Sequence, residues 1–358
     1  MTPPDVPPEF SQVAAAFPLP GALRSVVLYG SGHINRTFLG TADTGARFVF
    51  QQINENIFRD VPALMENIRR ITAHAPAVTP GLVLTRDGQP FFRDAAGAAW
   101  RVYRFVEGAR SVQEIESAAQ ACEVARAFGE FQQTLATLPG PRLNEVLPGF
   151  HDTRSRYAAL HEAIADDVAN RAAGARDDIA FALARENEAG VLLDLHATGV
   201  LPERVVHNDC KLNNLLLDTM GRAVCVLDLE TTMPGFAPCD FGDMVRTASC
   251  SAAEDERDLA RVAAEPAMLR ALAEGFLEGA GPLLTAAEIA HLAFAGRLIT
   301  LEQGVRFLSD HLRGDTYYRV HRPGHNLDRT RAQFALVRSL EAQHAEFERV
   351  IAKLAAQR

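Results

Sequence analysis

The chain has 358 residues, 47% of them hydrophobic and 23% charged, which is ordinary globular usage and excludes wholesale disorder. Lys and Arg number 36 against 45 Asp and Glu, a net charge of −9 without the basic excess of a nucleic-acid-binding body. The five cysteines form no C-x-x-C pair, and the start MTPPDVPPEF is no signal peptide; with no apolar run of about 18 residues, a reducing, cytoplasmic setting without membrane spans is expected.

In chain order, residues 1–20 hold six prolines and read as a partly ordered lead-in. Residues 25–50 change to short Val-, Phe- and Leu-rich runs split by glycines, with a hairpin turn at Asp43-Thr44-Gly45. A helix is predicted over residues 63–72, behind Pro62. Strands follow near 81–85, 90–93 and 100–106. Beyond Gly108 the pattern turns helical: Val124, Phe128, Phe131, Leu135 and Leu138 mark one apolar stripe. Further helices are expected over 154–198, 254–278, 285–312 and 329–356. Between them lies one strand-like island, residues 205–227. The expected architecture is α+β and two-lobed: a strand-rich lobe over 21–108 and a larger helical lobe over 109–358.

The island contains His207-Asn208-Asp209-Cys210-Lys211-Leu212-Asn213-Asn214, a polar loop between apolar strands. Asp209 and Asn214 are five apart, the interval of the H-R-D-x-x-x-x-N loop of kinases. Phosphoryl transfer needs a carboxylate to accept the hydroxyl proton and an oxygen ligand for a magnesium ion. Lys211 can aim its ammonium at the transferring group. An apolar run then ends at Asp228, with Glu230 two residues on, and hard Mg²⁺ favours such carboxylate oxygens, directly or through water. The literal Asp240-Phe241-Gly242 lies too far past Asp209 to be the kinase metal motif. Asp240 and Asp243 are expected to cap a helix near Met244 or to brace the loop. Earlier, Gly30-Ser31-Gly32 can lay backbone N–H groups over phosphates.

These segments together resemble the aminoglycoside phosphotransferase and choline kinase superfamily. Its H-x-D-x-x-x-x-N loop matches His207, Asp209 and Asn214, and the bacterial N-acetylhexosamine 1-kinase branch looks most similar. The matching stretches are YGSGHINRTF, FVFQQINENIF, ALMENI, WRVYRFVEGA, HNDCKLNNLLLD, VLDLETTMPGFAPCDFGDMVR, GVRFLSDHLRGDTYY and HRPGHNL. The resemblance implies a protein-kinase-like fold that uses ATP and Mg²⁺ to phosphorylate the anomeric hydroxyl of N-acetylglucosamine or N-acetylgalactosamine. It implies Asp209 as base, Asn214 and Asp228 as magnesium ligands, and Gly30, Ser31 and Gly32 as the nucleotide loop. Arg104, Phe105 and Val106 would then lie near the adenine.

One departure concerns the third strand, where kinases carry a Lys paired with a helix Glu. Here Gln51 and Gln52 stand there, and Glu66 has no obvious cationic partner; Arg47, Arg36 or the amides are the substitutes on offer. The late segment with Arg306, Asp310, Asp315, Tyr317, His325 and Asn326 is the expected sugar pocket, and His33 is a further acceptor contact. The partners expected are a nucleotide and a small sugar. Two alternatives stay open: a kinase of the same superfamily acting on an amino sugar, aminoglycoside or choline-like alcohol, and a kinase-shaped binding protein without turnover.

Overall fold

The computed structural model describes residues 6–30, 34–112 and 114–357. Six strands form the first sheet: β1 (Leu23–Leu28), β2 (Arg36–Ala42), β3 (Arg47–Gln52), β4 (Leu82–Val83), β5 (Phe92–Arg93) and β6 (Ala99–Arg104). They pair antiparallel in the order β1-β2-β3-β6-β4, with β5 also on β6. Asp43-Thr44-Gly45 makes the expected hairpin, closed by the Gly45 N–H on the Ala42 carbonyl at 2.9 Å. Alternation sends Phe38, Phe48, Phe50, Trp100 and Val102 to one face. Val49, Gln51, Arg101 and Tyr103 then belong to the other. In that register Gln51 sits directly opposite Arg101.

The lead-in is more ordered than its prolines suggest. Pro8–Ala16 is helix α1, with proline in its first turn, and Phe10, Val13 and Phe17 are buried against the first face. The ring of Phe10 meets Phe38 at 4.8 Å and Trp100 at 5.3 Å. The second face receives α2 (Val61–His74), capped by Asp60 on the Ala63 N–H and burying Val61, Leu64, Met65, Ile68 and Ile71.

Past the sheet the chain runs β7 (Ala109–Ser111), α3 (Ala118–Leu135), α4 (Thr153–Asp166), α5 (Arg176–Leu183) and α6 (Val191–Ala197). Then come β8 (Arg204–Val206), β9 (Leu215–Asp218), β10 (Ala223–Val226) and β11 (Met233–Gly235). Helices α7 (Ala237–Ala248), α8 (Pro266–Ala280), α9 (Ala286–Ala290), α10 (Leu292–Leu312) and α11 (His325–Ala355) complete it. The stripe Val124, Phe128, Phe131 and Leu135 is buried along α3. Helix α8 crosses α3 so closely that a Cβ on Gly275 would stand 2.0 Å from the Cys122 carbonyl oxygen.

Three long helical expectations are corrected. Left-handed Asp167 and Asn170 divide residues 154–198 into separate helices. Residues 254–265 form a loop with one short 3₁₀ turn, because Pro266 opens α8 and acidic Glu254 and Asp255 pair instead with Arg246 and Arg322. His291 separates α9 from α10. No helix among the described residues is long and apolar enough to cross a membrane.

The island expected over 205–227 becomes two small sheets, β10-β9-β7 and β11-β8. Residues 207–214 leave β8, and Asp228 leaves β10. The Leu227 N–H donates to the Asn214 carbonyl at 2.8 Å, so the two polar segments are held side by side.

Candidate functional site

Asp209 stands at the centre of this junction. Its Oδ1 is 2.6 Å from Lys211 Nζ, and its Oδ2 accepts from Asn214 Nδ2 at 2.8 Å. Burial works to raise its pKa, but the Lys211 ammonium together with the other positive groups around it, Arg246 among them, holds the carboxyl below its usual range. With its Nδ2 committed to Asp209, the Asn214 amide keeps its Oδ1 without a hydrogen bond among the described residues.

The loop backbone is braced from behind. Asp240, in the first turn of α7, accepts from the His207 N–H at 2.9 Å, the Asn208 N–H at 2.6 Å and Gln132 Nε2 at 2.6 Å. Of the two roles expected for Asp240, bracing holds; the cap near Met244 does not, because α7 already begins at Ala237. The literal Asp-Phe-Gly thus has another reason to exist. Phe241 is fully buried against Phe276, and a Cβ on Gly242 would stand 2.5 Å from the Ala295 carbonyl oxygen of α10. His207 is also fully buried; its Nε2 lies 2.8 Å from the Leu227 carbonyl and its Nδ1 3.3 Å from the Asp209 N–H. A neutral ring protonated on Nε2 satisfies both. Asn208 and Asp228 adopt left-handed φ of +65° and +52°, which Asn and Asp accept more readily than other non-glycine residues.

His151, in the turn before α4, braces the same loop and is itself held by Glu302 of α10. Nδ1 is 2.9 Å from buried Glu302 Oε1, and Nε2 is 3.2 Å from the Asn208 carbonyl. Two acceptors require two N–H groups, hence an imidazolium. Burial lowers its pKa, but Glu302 more than compensates and the net shift is upward from 6.5. A raised folded value means stabilisation fully present below 6.5 and lost as pH climbs through that value. Wild type should therefore lose its stability advantage over His151→Gln as pH rises above 6.5. Urea midpoints of the two proteins over roughly pH 6 to 9 check this, and a constant difference would contradict it.

Asp228 accepts no hydrogen bond among the described residues. Burial, reinforced by Glu230 and Asp209, pushes its carboxyl up to about 7, while Arg101 and Lys211 pull it down. A carboxylate without a hydrogen bond among the described residues, destabilised by its acidic neighbours Glu230 and Asp209, suits a divalent cation. No group of three or more His, Cys, Asp or Glu side chains fit to hold a metal occurs among the described residues. Magnesium needs only one or two protein carboxylates, since phosphates and water supply the rest.

A cavity of about 450 Å³ opens nearby, lined by Phe150, Arg156, Arg306, Asp310, Arg313, Tyr317 and Tyr318 among others. Phe150 directly precedes His151, which ties the cavity wall to the Asp209 loop. The Arg306 guanidinium stands 5.7 Å from the ring centres of both Phe150 and Tyr318 and has no ion-pair partner among the described residues.

Residues 25–274 match the model of the phosphotransferase enzyme family. The chain belongs to this family. Similar solved structures cover nearly the whole length. The amicoumacin kinase hAmiN, in complex with AMP-PNP and Ca²⁺, has a TM-score of 0.56 at 14% identity, over 95% of this chain and 91% of its own. A microcompartment-associated aminopropanol kinase gives 0.56 at 17% identity, over 95% and 98%. An aminoglycoside phosphotransferase from Alicyclobacillus acidocaldarius gives 0.56 at 16% identity, over 98% and 96%. They bear out the kinase-like α+β fold.

Within this phosphotransferase, Lys211 and Asn214 contact Asp209, and Asp228 and Glu230 lie within electrostatic reach of it or of each other. Glu230 is already engaged: its Oε1 accepts from Asn35 Nδ2 at 2.6 Å and from Arg101. Gln51 does not stand alone either; its Oε1 accepts from Arg101 Nε at 2.9 Å and Nη2 at 2.8 Å. Glu66 is corrected. It pairs with Arg69 on its own helix at 2.8 Å, because α2 turns the flanking Met65, Asn67 and Ile68 inward and leaves Glu66 half-exposed. Arg47 pairs with Glu107 and stacks on Phe105, and Arg36 binds Gln52, so neither joins the acidic cluster.

Arg104, Phe105 and Val106 form the exit of β6, where the Phe105 N–H donates to the Arg47 carbonyl at 3.1 Å and Tyr29 packs edge-on at 6.0 Å. Gly30 has φ +78°; Ser31, Gly32 and His33, the rest of the expected nucleotide loop, lie outside the described residues. Arg306 and Tyr317 line the cavity, but Asp315 does not: it pairs with Arg171 at 2.6 Å and accepts from Asn326 at 2.9 Å. Arg101, Phe150 and Tyr318 were missed by motif reasoning. Arg101 belongs to the matching stretch WRVYRFVEGA, where an Arg inside an otherwise apolar run was the available signal.

Proposed function

We propose that this phosphotransferase moves the γ-phosphoryl group of ATP, with Mg²⁺, onto the anomeric hydroxyl of an N-acetylhexosamine, giving the sugar 1-phosphate. The charge of the cavity carries this reading. Arg156, Arg306 and Arg313 line it, against one acid, Asp310. Both oxygens of Asp310 are already used: Oδ1 accepts the Thr316 and Tyr317 N–H groups at 2.9 and 2.8 Å, and Oδ2 accepts the Tyr318 N–H at 2.9 Å and Asn326 Nδ2 at 2.8 Å. A cationic acceptor such as an aminoglycoside or choline would find guanidinium groups and no unengaged carboxylate there. Sugar hydroxyls and an acetamido carbonyl accept from guanidinium donors, and Phe150 and Tyr318 offer flat apolar faces to a pyranose.

In this reading Asp209 receives the acceptor hydroxyl, orients it and takes its proton. Lys211 keeps Asp209 ionised and lies beside the phosphoryl path. Asn214 Oδ1 and Asp228 would hold magnesium directly, with Glu230 assisting through water. Bound magnesium neutralises charge developing on the phosphates. Residues 21–108 serve as the nucleotide lobe, with Gly30 at its loop and Phe105 near the adenine, and residues 109–358 carry the acceptor.

The test is ³¹P NMR of the product formed from ATP, Mg²⁺ and N-acetylglucosamine or N-acetylgalactosamine. A phosphate doublet coupled to the anomeric proton is expected; turnover of choline or an aminoglycoside in place of both sugars would overturn the assignment. Arg306→Ala should raise the KM for the sugar roughly 10- to 100-fold, matching about 1.5–3 kcal/mol for a charged hydrogen bond, with the KM for ATP nearly unchanged. Steady-state titration of each substrate checks it.

A further inference from the structure

The third strand of the sheet lacks the cation that kinases use to hold nucleotide phosphates. The neighbouring strand supplies one. Gln51 on β3 and Arg101 on β6 are direct cross-strand partners, so their side chains leave the same face of the sheet within a few ångströms of each other. A guanidinium started from β6 therefore reaches the volume that a β3 lysine would fill.

Arg101 is only 1% exposed, yet it is not fully paired. Its Nε and Nη2 edge is held by Gln51 Oε1, and Nη2 also reaches Glu230. Nη1 is buried and has no hydrogen-bond partner among the described residues. Buried polar groups normally have a partner in protein, water or ligand, and the open Nη1 of Arg101 differs from the open Nε atoms of Arg156, Arg297 and Arg329 in standing beside the carboxylate cluster. The open donor belongs to a cation sitting beside Glu230 and within electrostatic reach of Asp228. The other basic groups near this cluster are engaged elsewhere: Arg36 on Gln52, Arg47 on Glu107 and Lys211 on Asp209.

We propose that Arg101 is the phosphate-binding cation of this enzyme, with Gln51 holding its Nε edge so that Nη1 donates to an α- or β-phosphate oxygen of the bound nucleotide. Gln51 is thus a positioning residue, and the strand lysine has been replaced by a cross-strand pair. This assignment rests on the nucleotide reading above and deepens it. It also gives Glu230 a second task. Together with Asn35, Glu230 holds the charged strand against the segment bearing Asp228, so the cation and the metal ligands are set relative to each other.

The test measures the affinity gained from phosphates rather than turnover. Dissociation constants for adenosine and for ADP, both with Mg²⁺, are determined calorimetrically for wild type, Arg101→Gln and Arg101→Lys. The ratio of the two constants should fall at least 10-fold in Arg101→Gln and by a smaller factor in Arg101→Lys, with adenosine affinity unchanged. Arg101→Lys keeps a charge in place and decides the matter should the Gln variant not fold. A ratio equal to wild type in the folded variants, whatever happens to their melting temperatures, would overturn the assignment and leave Arg101 as a structural partner of Glu230. A wild-type protein that binds neither adenosine nor ADP would overturn the nucleotide reading itself, which separates the two failures.

Discussion

Asp209→Asn is expected to lower kcat by roughly 10²- to 10⁴-fold, the range for losing a positioned general base. The side chain keeps its shape, so the cost falls on proton transfer and on the two groups that face it. Lys211 at 2.6 Å would lose its counter-charge, and Asn214 would meet either an amide oxygen or an opposing NH₂. The KM values for sugar and ATP should move by only a few-fold, because neither the cavity nor the nucleotide loop depends on that carboxylate. Steady-state kinetics with a melting curve on the same sample separates lost chemistry from lost fold. A folded variant with wild-type kcat would remove Asp209 from its proposed role. An anomeric hydroxyl is more acidic than an ordinary alcohol, which places the expected loss towards the lower end of the range.

What could be read from the sequence was whatever is local along the chain. The interval from Asp209 to Asn214 lies within one loop, and the island strands around it are marked by uninterrupted apolar runs. The apolar stripe of α3 is periodic over its whole length. Arg101 was out of reach for a different reason: its meaning comes from a register that pairs it with Gln51, fifty residues away, and from a contact with Glu230, 129 residues away. No spacing rule reports such a pairing. The acceptor cavity has the same character, since Phe150 precedes α4 while Arg306 and Tyr318 come from the end of α10 and the loop after it. Polar composition did single out the late segment, but could not divide it. Asp310 organises the tyrosine loop, Asp315 serves Arg171, and His325 pairs with Asp255 at 3.0 Å. Glu66 was expected at the nucleotide site without an obvious cationic partner, and the i,i+3 neighbour Arg69 on its own helix is the one it takes.

Asp240→Ala is expected to cost about 3–5 kcal/mol of stability, because it strands several buried donors at once. The carboxylate is fully buried and accepts the N–H groups of His207 and Asn208 as well as the Gln132 amide. Backbone donors cannot turn away to find water, so each unpaired N–H carries its full desolvation cost. The same carboxylate sits in the first turn of α7, where the helix dipole favours negative charge. Activity should fall along with stability, since His207 and Asn208 immediately precede Asp209 and fix its direction. Urea denaturation gives the first quantity and kcat at low temperature, where the variant remains folded, gives the second. Gln132→Ala removes one of the three donors and should cost less, about 1–3 kcal/mol, with kcat largely retained. If Asp240→Ala unfolded at the wild-type urea midpoint, the loop would have to be held by other contacts, and bracing by Asp240 would no longer account for the Asp-Phe-Gly sequence.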